Sequence, residues 1–201
     1  MIKCLTVFGL FVALFGFAVL PATAFENPKI TLDRVEVASI QPFFAKPRVG
    51  YKDEKDTGKD LPVGSILNMA YIFNIKNPNK EPVMLDEMTF TVSFDGFDVN
   101  TAFAYEDSWI PAGKTNQLKV VVTNEALPTI SSLMVGAGNV SRIQEMKTSA
   151  GALAKKWWET VGDFDFPITV SGGTALFKDA KDKEHQVTFS GKWENPEKPK
   201  K

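Results

Sequence analysis

The chain has 201 residues, with 23 Lys and Arg against 24 Asp and Glu and a formal net charge of −1. A balance this even excludes recognition of nucleic acid or of an anionic membrane surface by bulk charge. A single cysteine, Cys4, excludes a disulfide framework and a thiolate metal site. Residues 1–24 read as a secretory signal peptide. Lys3 precedes an apolar run from Cys4 to Val19, Pro21 breaks it, and Ala22-Thr23-Ala24 supplies the small residues of a cleavage site. Retention of the segment as an anchor is the alternative, although the run is short for a span. Cleavage leaves one domain at residues 25–194, free of cysteine, with its charge shifted to −2 by the loss of Lys3. An exported chain of that kind suits a bacterial periplasm.

Phe25 to Ile40 predicts the first strand. Ile30 and Leu32 share one parity and Val35 and Val37 the other, so a bulge or bend falls at Asp33-Arg34. Gln41 to Pro62 is a polar connection, and its segment Asp53 to Asp60 reads as a solvated loop. The acidic spacing there lacks the closing bidentate Glu of a calcium loop. Gly64 to Lys76 predicts a strand with Leu67, Met69, Tyr71, Phe73 and Ile75 on one face. Asn77-Pro78-Asn79 stops it, because Pro78 donates no N–H and asparagine side chains bond to nearby backbone. Met84 to Phe94 alternates Met88, Phe90, Val92 and Phe94 with Glu87, Thr89, Thr91 and Ser93. Asp95-Gly96 signals a hairpin, from which Phe97, Val99, Thr101, Phe103 and Tyr105 return in one register. Trp109 to Thr115 predicts a turn containing Pro111 and Gly113. Asn116 to Thr123 predicts a strand with Leu118, Val120 and Val122 inward.

The period changes from Leu127 to Val161. Apolar residues including Ile130, Leu133, Met134, Ile143, Leu153, Trp157 and Trp158 fall three and four apart, a helical stripe. Gly136 and Gly138 weaken its middle, so two short helices or one kinked helix satisfy the pattern. Gly162 fits the C-terminal stop. Period two returns through Phe164, Phe166, Ile168 and Val170, is interrupted at Gly172-Gly173, and continues through Ala175 and Phe177. After a charged turn, His185, Val187, Phe189, Gly191 and Trp193 alternate in the last strand. Residues 195–201 read as a disordered tail. Strands at short spacing, with helices confined to one insertion at residues 127–161, predict a mainly β fold: an antiparallel β-sandwich of about seven strands.

The run Phe73-x-x-x-Asn77-Pro78-Asn79, the strand Met84 to Phe94 with Gly96-Phe97, the turn Ile110-Pro111-Ala112-Gly113-Lys114-Thr115 and the strand Leu118 to Val122 resemble the group-two late embryogenesis abundant (LEA type 2) proteins. Their shared unit is the water-stress and hypersensitive-response (WHy) domain. The resemblance covers residues 66–123 and, in outline, 164–193. It implies an immunoglobulin- or fibronectin-III-like sandwich with one helix and a non-enzymatic role linked with dehydration or stress tolerance. It also implies lipid binding or membrane tethering for related domains. The sequence departs from the pattern in the long Asp53–Asp60 loop and the long Leu127–Val161 segment.

No catalytic constellation emerges. His185 has no cysteine beside it and no serine in a nucleophile-elbow context, so it reads as a strand-end residue. Asp163 and Asp165 flank Phe164 and read as part of a solvated sheet face. Gly113-Lys114-Thr115 lacks the upstream glycine and following helix of a phosphate loop. No cofactor, metal or enzymatic activity is implied. The candidate contact residues for a ligand or partner are Trp157, Trp158, Met134 and Leu153. Trp157 and Trp158 lie about 100° apart on a helix and are not expected to sit equally deep: either both pack at the helix–sheet seam, or one packs on the sheet and the other reaches a partner, a lipid or a neighbouring loop. Two readings follow: an exported stress-associated protein that stabilises or scaffolds the cell envelope, or a carrier of an apolar ligand such as a lipid or fatty acid, with the helical segment as lid. The partner is accordingly a lipid or another envelope protein, and the oligomeric state stays open.

Overall fold

The computed structural model describes residues 25–41, 43 and 65–195. The expectations for the signal segment 1–24, the Asp53–Asp60 loop and residues 196–201 of the tail lie outside them. Seven strands form two antiparallel sheets: β1 (Lys29–Ile40), β2 (Ile66–Lys76), β3 (Val83–Phe94), β4 (Phe97–Ile110), β5 (Thr115–Glu125), β6 (Ile168–Lys178) and β7 (Glu184–Trp193). One sheet has the order β1-β2-β5 and the other β4-β3-β6-β7, which gives the expected sandwich. β1 lies beside β7 and β4 beside β5 at its two seams.

The alternating residues of β2 fill the space between the sheets. Leu67, Met69, Tyr71, Phe73 and Ile75 are all fully buried, facing Met88, Phe90, Val92 and Phe94 of β3. The Phe90 ring meets Tyr71 at 5.7 Å and Phe73 at 5.1 Å, and Phe189 of β7 closes on Phe73 at 5.5 Å. The Tyr71 hydroxyl has no hydrogen-bond partner among the described residues, and burial pushes its pKa above the ordinary tyrosine value. An unpaired buried hydroxyl costs about 1–3 kcal/mol. Burying a large apolar side chain contributes about 1.5–3 kcal/mol, so the ring offsets its own polar end.

The parity switch in β1 is a register shift between Leu32 and Arg34. It keeps both Leu32, opposite Phe73, and Val35, opposite Tyr71, on the core side. The glycine pair is likewise a shift, between Val170 and Gly173, within a continuous β6. Four sequence expectations are corrected. Trp109 and Ile110 belong to β4, so the turn spans only Pro111 to Lys114. Phe164 and Phe166 precede β6 rather than opening it, because a 3₁₀ turn at Val161–Asp163 ends with Phe164 in the left-handed region (φ 49°). That turn, and not Gly162, terminates the helices, and it takes Asp163 and Asp165 off any strand.

At the β2 end of the sandwich the two turn motifs are locked together. Asn77 is fully buried. Its Nδ2 donates to the carbonyls of Glu81 (2.8 Å) and Ile110 (3.1 Å), with Pro111 O at 3.3 Å. Its Oδ1 accepts from the Asn79 amide at 2.9 Å, bracketing Pro78. Asn79 in turn accepts from Gly113 N through its carbonyl at 3.0 Å and pairs with both backbone groups of Glu26 at 2.8 and 2.7 Å. Gly113 sits at φ 66°, a region costly for a residue with a Cβ. At the same end Asp179 organises the β6–β7 turn. Its Oδ1 accepts from the amides of Lys181 and Lys183, and its Oδ2 lies 3.0 Å from His185 Nε2. The His185 ring is stacked under Phe25 at 3.6 Å.

Asn77→Ala is expected to lower unfolding free energy by about 2–4 kcal/mol in urea titration, because it strands carbonyls that cost about 1–3 kcal/mol each when unpaired. The His185 hydrogen bond, then the Lys181 amide, lower the Asp179 pKa from 3.8 to about 2. A depressed carboxyl stabilises the fold above its unfolded pKa and loses that contribution as pH falls through its folded value. Asp179→Asn should therefore melt below the parent at neutral pH, and the gap in melting temperature should close between about pH 4 and pH 2.

Candidate functional site

The segment between β5 and β6 forms three helices, where one or two were expected: α1 (Ala126–Val135), α2 (Asn139–Glu145) and α3 (Ala150–Thr160). Gly136 ends α1 and Gly138, at φ 76°, precedes α2. The unforeseen break is at Lys147, which adopts φ 54°. Ser149 then caps α3, its Oγ accepting from Ala152 N at 3.2 Å.

The helices close the pole of the sandwich opposite Asn77, around the β3–β4 hairpin. Asp95 and Gly96 both take positive φ, 50° and 76°, the two-residue geometry that Asp-Gly favours. Arg142 of α2 donates to the carbonyls of Asp95 (2.6 Å) and Gly96 (3.0 Å) and lies 4.1 Å over the Phe97 ring. The Asp95 carboxylate accepts from Trp157 Nε1 at 2.9 Å and from Lys156 Nζ at 3.3 Å.

The candidate contact residues do not converge. Trp157 and Trp158 are both buried, Leu153 is buried with them, and Met134 is 62% exposed on α1. The α3 stripe is wide because pairs of neighbours repeat along it: Leu153 with Ala154, then Trp157 with Trp158. Trp157 packs on Phe94, Phe97 and Phe166 at 5.5, 6.2 and 6.2 Å. Trp158 turns the other way and meets Phe43 of the β1–β2 connection edge-on at 5.8 Å. Both rings thus pack inward, the second against the neighbouring loop. The Trp158 Nε1 has no hydrogen-bond partner among the described residues. Leu133, Ile143 and Leu153 join the same core, so the space beneath the helices is filled by the protein's own side chains.

A different group of side chains gathers on the outer face of the four-stranded sheet. Phe103, Tyr105 and Trp109 of β4 are 64, 77 and 55% exposed. A register shift between Val92 and Ser93 of β3, opposite Val99, separates inward Phe97 from outward Phe103 and Tyr105, which share the Phe97 parity. Small Ala102 and Ala104 take the inward positions. Beside Tyr105 is a shallow cleft of about 310 Å³ lined by Asp86, Glu87, Tyr105 and Asp107. Asp86 pairs with Lys178 at 2.9 Å and raises that ammonium's pKa through this hydrogen bond. Sequence reading passed over this group. Its signal is the run Ala102-Phe103-Ala104-Tyr105, in which the small residues alternate with aromatic ones. Among the described residues no group of three or more His, Cys, Asp and Glu is placed to hold a metal ion, and no helix is long and apolar enough to cross a membrane.

No family model matches the chain, and no curated protein matches it. Solved structures do. The solution structure of AT1g01470 from Arabidopsis thaliana is 11% identical, with a TM-score of 0.50, over 88% of this chain and 86% of that one. A structure solved for a candidate late embryogenesis abundant protein, At2g46140.1, is 8% identical with a TM-score of 0.44, over 83% of this chain and 69% of that one. A protein from Archaeoglobus fulgidus is 9% identical with a TM-score of 0.38, over 86% of this chain and 98% of that one. The likeness concerns the fold alone.

Asp95→Ala is expected to cost about 2–4 kcal/mol, since it leaves the Trp157 indole N–H unpaired and removes the polar side chain that lets Asp tolerate positive φ better than Ala does. Asp95→Asn keeps an acceptor and tolerates that backbone, so denaturant titration should show less than half the loss.

Proposed function

We propose that the chain is an exported, non-enzymatic protein of the LEA type 2 kind that stabilises or scaffolds other components of the cell envelope under stress, acting through its surface. The observation that supports this reading best is the filled interior. An apolar-ligand carrier needs a lumen, and the space beneath the helices, where a lid would cover one, is occupied by Leu133, Ile143, Leu153 and Trp157. The exposed aromatic residues Phe103, Tyr105 and Trp109 lie instead on the outer sheet face. The turns Asn77-Pro78-Asn79 and Pro111 to Gly113 carry the family resemblance and are coupled by direct hydrogen bonds, which is a structural use for residues that the resemblance singles out. The signal-like segment and the cysteine-free remainder support export to a periplasm.

The test is deletion of the gene in its native host, followed by desiccation and osmotic challenge. Survival is expected to fall and to be restored by the wild-type chain. Survival equal to the parent overturns the stress role. Lipid recovered stoichiometrically from the purified protein in native mass spectrometry favours the carrier instead.

A further inference from the structure

We propose that the outer face of β4 docks an extended, basic segment of a partner protein. The inference rests on the surface-acting reading above and gives that surface a location and a partner chemistry. β4 is a terminal strand of its sheet, paired only with β3 among the described residues; β5 and α1 lie against it as well, so it is the outer face of the strand that is offered to a partner. Its two ends are held to β5 by side chains: Asn100 Nδ2 donates to Thr123 O at 2.8 Å, and Asn116 Nδ2 to Trp109 O at 2.7 Å. Between these ties Phe103, Tyr105 and Trp109 stand outward along about 20 Å of strand, the length of a six- or seven-residue segment.

Charge selects the occupant. β4 carries Asp98 and Asp107 and no Lys or Arg. Asp86, Glu87 and Asp107 line the cleft beside Tyr105. Lys178 pairs with Asp86 and also feels the charge of Asp107, while Glu87 and Asp107 make no ion pair within bonding distance among the described residues. An incoming Lys or Arg would meet two carboxylates and the face of an exposed phenol ring, and apolar neighbours in the same segment would cover Phe103 and Trp109. A second copy of this chain is disfavoured, because β4 against β4 opposes like charges. An anionic lipid surface is disfavoured for the same reason.

The probe is a labelled seven-residue peptide alternating lysine with valine and phenylalanine, titrated by fluorescence anisotropy against the whole protein, with a glutamate-for-lysine peptide as control. The basic peptide is expected to bind, to weaken as salt rises, and to protect β4 amides from hydrogen exchange. Tyr105→Ala and Asp107→Asn, both at the surface, should each weaken binding about tenfold with unchanged melting temperature. Equal binding of both peptides, indifference to both substitutions, or a concentration-dependent dimer in sedimentation overturns the proposal. Complementation separates it from the stress role. If the wild-type chain and the Tyr105→Ala/Asp107→Asn double variant restore survival equally, the docking site falls and the stress role stands. If deletion has no phenotype while the peptide binds as expected, the stress role falls and the site stands.

Discussion

One buried carboxamide sets the geometry of an entire pole of this sandwich. Asn77 follows the last residue of the central strand β2, and its amino group reaches the backbone carbonyls of Glu81, Ile110 and Pro111. Those carbonyls belong to the two turns on either side of the sheet gap. Buried carbonyls without donors cost more than a made hydrogen bond returns, so the register of both turns follows from where that one side chain sits. Asn79 extends the same network to Glu26, which ties the entry to β1 into it.

The opposite pole has the same problem and a different solution. Two packed sheets bury their inner faces but leave the ends of the gap open. Three helices cover that end by gripping the Asp95-Gly96 hairpin: Arg142 takes the carbonyls and Trp157 with Lys156 takes the carboxylate. Local turn chemistry and tertiary docking therefore converge on the same two residues. A left-handed Asp-Gly pair presents its carbonyls and carboxylate outward, where cationic and indole donors reach them.

Register shifts decide which side chains the protein keeps and which it offers. The shift at Asp33 holds both halves of β1 on the core, whereas the shift opposite Val99 sends Phe103 and Tyr105 to the outside and puts alanines beneath them. A sheet face with an aromatic row at its edge and carboxylates beside it is chemically unlike the Thr-rich face across β3, β6 and β7. That asymmetry sets the β4 edge apart from the rest of the outer sheet face.

By itself the sequence determined the strands, the sandwich and both pole turns. Strand periodicity in β2, β3 and β5, the Asn77-Pro78-Asn79 stop and the Asp95-Gly96 hairpin are encoded within a few residues of one another, and local sterics fix them. Tertiary structure alone decided the depth of Trp157 and Trp158, the exposure of Met134 and the face taken by the β4 aromatics. The depth of a helical residue depends on what packs against each side of its helix, and Trp158 is covered by Phe43, more than a hundred residues away in the chain. The face of a strand residue depends on bulges that arise in pairing with another strand. One unpaired residue at Val99 reverses every later side chain, and its trace within β4 is only the alternation of Ala102 and Ala104 with Phe103 and Tyr105.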